Sequence, residues 1–127
     1  MALATQPANS IITADDEATA WSKTPQVDSG TATATAGAAT LAKIGGVITS
    51  EALTTAAAAL YTLTITNSKA AAGQIVMASI SNGSNSAGTP QVVSVTPASG
   101  SIVIVVRNDH ASDALNGTLK IAYAILG

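Results

Sequence analysis

The sequence predicts an all-β protein: an antiparallel β-sandwich, jelly-roll-like, preceded by an extended N-terminal arm. Three observations carry this expectation. Strand-type segments recur about every ten residues from residue 40 onward. The turns between them are too short for crossover helices, which leaves antiparallel pairing. Finally, SIVIVVRND, residues 101–109, has no polar side chain between Ser101 and Arg107. Ile102, Ile104 and Val106 fall on one face of such a strand, Val103 and Val105 on the other. A strand with one wet face alternates apolar and polar, so this one needs cover on both sides. A partner sheet covers the first. The second is left for the arm, another copy of the chain or another protein, which makes Val103 and Val105 candidate partner-binding residues.

Residues 1–30 read as the arm. Asp15, Asp16, Glu17 and Asp28 stand there against Lys23 alone, with Pro7, Pro25 and the single Trp21. No sustained periodicity runs through them, and thirty such residues cannot build a core. ADDEATA reads alternatively as a short helical turn, with its acids near the N-terminus. The apolar Ile11 and Ile12 and the aromatic Trp21 are the arm's candidate partner-binding residues. Trp21 either anchors the arm in a partner's pocket or packs against the chain's own domain.

Residues 31–127 read as the sandwich domain. TATATAGAAT, 31–40, alternates β-branched Thr with Ala and reads as an extended connector able to pair at a sheet edge; a flexible linker is the alternative. TLAKI (40–44), Gly45-Gly46 and VITSEALTT (47–55) predict a hairpin. Within 50–60, Ser50 and Glu51 could instead cap a short helix through the alanines. LYTLTIT (60–66) places Tyr61, Leu63 and Ile65 on one face and threonines on the other. QIVMASI (74–80) predicts the next strand, and SNGSNSAGTP (81–90) a polar loop. QVVSVT (91–96) leads through a PASG turn, with Pro97 early and Gly100 late, into SIVIVVR. TLKIAYAIL (118–126) closes the chain, with Leu119, Ile121, Tyr123 and Ile125 on one face.

Composition narrows the function. The chain has 127 residues, enough for one domain that buries roughly two-thirds of its unfolded surface. Only 9% of residues are charged, against about 25% in ordinary soluble domains, and the net charge is −2. So few charges leave the surface to Ser and Thr, or to cover by other chains. Five scattered Lys and Arg and no Phe argue against nucleic-acid binding. No apolar run approaches the ~20 residues of a membrane span, and the N-terminus lacks a signal-peptide pattern. Cysteine is absent, so neither a disulfide framework nor a Cys-ligated metal site is possible.

No site of chemistry is expected: no catalytic residue, no cofactor, no metal. His110 is the single histidine, and no G-x-S-x-G turn offers a nucleophile. NDHASD gathers Asn108, Asp109 and Asp113 without EF-hand spacing and reads as a solvated loop whose Asn and Asp side chains cap turns. Gly45-Gly46 lacks the following helix and lysine of a phosphate loop.

GVITSEALTTAAAALYTLTITN (46–67), GTPQVVSVTPASGSIVIVVRN (88–108) and HASDALNGTLKIAYAILG (110–127) together resemble the capsid decoration, or cement, proteins of tailed bacteriophages. The resemblance covers residues 31–127; Ala/Thr/Val-rich β patterns of this kind also occur in phage tail and fibre proteins. It implies a β-sandwich made in the host cytoplasm and bound to the outside of the virion's icosahedral head. There it would bridge major capsid proteins as a dimer or trimer and bring no catalytic residue. A tail or fibre module, or an adhesin-type domain, would share the composition but bind a receptor through loops such as SNGSNSAGTP.

Overall fold

A computed structural model describes residues 28–127 of the protein. The expected positions Ile11, Ile12 and Trp21 lie outside the described residues. The rest is a β-sandwich of eight strands. β1 (Ser29–Thr33), β3 (Gly45–Thr49), β8 (Leu119–Ile125) and β5 (Val76–Asn82) form one sheet in that order. β2 (Ala38–Thr40), β4 (Leu60–Thr66), β7 (Ser101–Asn108) and β6 (Pro90–Ala98) form the other.

Period-two alternation explains why the two sheets face each other. On β4, Tyr61, Leu63 and Ile65 are buried while Thr62, Thr64 and Thr66 are exposed. On β7, Ile102, Ile104 and Val106 are fully buried. From the opposite sheet, Ile48, Leu119, Ile121 and Tyr123 meet them, and Leu53 and Leu115 close the top from the loops. Tyr123 is buried with its hydroxyl satisfied: it donates to the Lys43 carbonyl at 2.8 Å and accepts from Asn67 Nδ2 at 3.0 Å. Burial raises its pKa above the ordinary tyrosine value.

Several expectations are corrected. The central pairs are antiparallel, but the edge strands β1 and β2 pair parallel with β3 and β4. The Thr/Ala segment does pair at sheet edges as its extended reading expected, contributing to one edge strand of each sheet, and only the linker alternative falls. β1 starts at Ser29, which brings Ser29 and Gly30 into the sheet although the charge division places them in the arm. No hairpin forms at Gly45-Gly46. The chain crosses between sheets after Thr40, and both glycines sit inside β3. Close packing is the reason: a Cβ on Gly46 would lie 2.6 Å from the Gly30 carbonyl oxygen and 2.5 Å from Leu41 Cδ2. Residues 50–59 are neither helix nor strand. They run along the sandwich end with backbone bonds from Ser50 N–H to Leu119 O and from Leu53 N–H to Gly117 O.

Among the described residues, the one hairpin between consecutive paired strands is β6–β7. Its turn is Ser99-Gly100, with Gly100 at φ 83°, a conformation glycine adopts without a Cβ penalty. Pro97 lies in β6 opposite Ile102, not in the turn as expected. At the base of the sandwich, Asp28 contacts Lys43 Nζ at 3.3 Å and Lys69 Nζ at 3.6 Å. Desolvation raises the Asp28 pKa, but the hydrogen bond and charge of Lys43, the Ile44 backbone and the charge of Lys69 outweigh it and hold the carboxyl below its ordinary value.

Candidate partner-binding face

Val103 and Val105 lie on the outward face of β7, half-buried, while their neighbours in sequence are fully buried. Cross-strand pairing explains the half-burial. Val105 stands between Thr62 of β4 and Ser94 of β6; Val103 stands between Thr64 and Thr96. Residues directly opposite in register share a face, so Thr and Ser flank each valine on both sides. The residues that keep SIVIVVR from being a bare apolar stripe are therefore on adjacent strands, not in the strand itself.

The face continues outward through exposed Ala38 and Thr40 of β2 and Gln91 of β6. Its one charge is Arg107, at the rim, where Nε lies 3.0 Å from Asp109 Oδ1. A surface of mostly small and β-branched side chains with its charge at the rim offers apolar area, with little to steer a charged ligand.

A second apolar region was not legible from alternation. Ile75 and Met77 are 64% and 61% exposed at β5, and Leu126 is 61% exposed beside them. Leu126 N–H donates to Ile75 O, which sets these side chains together. Next to them Met77, Ser79, Ala122 and Ala124 line a shallow groove of about 310 Å³, floored by small residues. The available signal was charge: no Asp, Glu, Lys, Arg or His occurs between Lys69 and Arg107.

The loops at the opposite end are held by asparagines. Asn108 is 0% exposed; its Nδ2 donates to the Thr55 and Asp113 carbonyls, and its Oδ1 accepts from the Thr89 and His110 N–H groups. Asn85 donates to Asn82 Oδ1 and Ala87 O and accepts from Asn116 N–H. Ser84 and Thr118 exchange backbone-to-hydroxyl bonds at 2.8 and 2.9 Å, zipping the 83–89 loop to 115–118. His110 Nδ1 accepts from the Ser112 and Asp113 N–H groups, so the histidine caps this turn, and Asn108, expected in a solvated loop, is buried. Among the described residues no group of three or more His, Asp or Glu side chains is placed to hold a metal ion, and no helix is long and apolar enough to cross a membrane. No family model, no curated protein and no solved structure matches the chain.

Proposed function

We propose that this protein is a structural virion component: a capsid decoration, or cement, protein on the outer surface of a phage head. It binds major capsid proteins and bridges them, and it catalyses nothing. The observation that supports this most is the outward face of the β2-β4-β7-β6 sheet. Val103 and Val105 sit there in a Ser/Thr frame whose one charge is at the rim. Such a face gains from being covered by a neighbour and loses little polar hydration in the process. Each subunit need contribute only a few kcal/mol, because many act on one particle and bridging makes each second contact effectively intramolecular.

The experiment is co-sedimentation with empty heads of the phage that encodes the chain. Wild-type protein sediments with them saturably. Val103→Asp and Val105→Asp stay folded, because both positions are partly solvated, and remain in the supernatant. Ile104→Asp unfolds instead, since an unpaired charge at a fully buried site costs several kcal/mol. If Val105→Asp sediments as wild type does, this face is not the attachment surface.

A second reading has its own observation. The loop end zipped by Asn85, Asn108 and Asn116 is pre-organised, which suits a tail, fibre or adhesin-type module that presents loops to a receptor. Failure to bind heads together with adsorption to host cells would favour it.

A further inference from the structure

Of the four sheet edges, three carry a guard against pairing with another chain. β1 and β2 are short, at five and three residues. β6 has Pro90 and Pro97 and a bulge between Val92 and Ser94. β5 has none of these: seven residues, VMASISN, without Pro, charge or bulge. The backbone parity of β5 is fixed by its partner. Ile75 O accepts from Leu126 N–H, and Gly83 N–H donates to Thr118 O, so odd-numbered residues turn their polar groups toward β8. Val76, Ala78, Ile80 and Asn82 therefore direct N–H and C=O away from the sheet. Val76, Ala78 and Ile80 are also only partly buried, as are Val92 and Val95 across the seam.

We infer that β5 is a self-association edge, pairing antiparallel with β5 of a second copy about a two-fold axis. A second copy fits because the edge is uncharged and so meets itself without repulsion. Outward groups must pair with outward groups, and all seven residues pair only when the axis passes through Ser79. That register sets Ala78 against Ile80 and Val76 against Asn82 of the second copy, and joins the two β1-β3-β8-β5 sheets into one of eight strands. It also covers the half-open seam. Ser79 meets its own copy at a non-hydrogen-bonded position, where facing side chains come closest. This inference does not depend on what the Val103/Val105 face binds.

The register gives the test. Ser79 is exposed on the outer face, so Ser79→Lys and Ser79→Glu both leave the fold intact, which circular dichroism checks. In sedimentation equilibrium of the full chain, wild type runs at twice the 12.4 kDa chain mass. Each variant alone is a monomer, because like charges face each other across the axis. An equimolar mixture of the two restores the dimer. A monomeric wild type overturns the proposal, including the case in which the Ala78 amide is protected from exchange because residues 1–27 cover the edge. Dimers that persist in both variants overturn it as well, as does a mixture that stays monomeric.

Discussion

At the scale of single residues, buried asparagines hold together a protein with few charges. Asn108 satisfies four backbone groups from three separate segments, and Asn67 ties Lys43 O to the Tyr123 hydroxyl. The apolar core positions were legible from alternation, because a side chain's face follows from counting by two. The asparagines were not, since NDHASD looks the same whether Asn108 is solvated or at the hub of three loops. Removing such a hub leaves buried donors and acceptors without partners, at about 1–3 kcal/mol each where water cannot reach. Asn108→Ala is expected to destabilise the domain by about 2–4 kcal/mol in chemical denaturation. Asp109→Ala, next in sequence but substantially exposed, should cost under about 0.5 kcal/mol. Equal, small losses would mean that the loops are held by their backbone alone.

At the scale of elements, strands were readable and their partners were not. LYTLTIT coincides with β4, and SIVIVVRN with β7, because each strand carries its own period. Gly45-Gly46 misleads because a glycine pair marks either a turn or a close backbone approach, and only the neighbours decide. Here neither glycine has positive φ, and the β1 backbone packs against Gly46. Residues 50–59 resist assignment for a related reason: their long-range backbone bonds go to Asn108 and to 115–119, far along the chain. Gly46→Ala tests this directly. Overpacking at a well-filled site costs about 1–3 kcal/mol, so the melting temperature should fall. Adding Leu41→Ala should not rescue it, because the Gly30 carbonyl would still lie 2.6 Å from the new Cβ. A neutral Gly46→Ala would show that β1 is held loosely.

At the scale of the whole molecule, charge is kept off the middle of the outer face of the β2-β4-β7-β6 sheet, while Lys120 stands exposed on the outer face of the other sheet. The described residues carry Lys43, Lys69, Arg107 and Lys120 against Asp28, Glu51, Asp109 and Asp113, so the signs balance. Lys43 and Lys69 pair with Asp28 at one end of the sandwich; Arg107 pairs with Asp109 toward the other. The middle of the Val103/Val105 face is left with Ser, Thr and Val. Attachment through it must come from apolar burial and hydrogen bonds, neither of which ordinary salt screens. Raising NaCl from about 0.05 to 0.5 M shortens the screening length several-fold, yet head binding should change less than about twofold. Sulfate should strengthen it, because excluded salts favour burial of apolar surface. Residues 1–27, which the sequence leads one to expect as an arm, carry the opposite signature, since Asp15, Asp16 and Glu17 would contribute through charge. If affinity instead falls tenfold or more with NaCl, the acidic arm dominates attachment and the sheet face is secondary. The same titration on the uncharged variant Val105→Asn then separates the two, because it weakens the face without adding a charge to it.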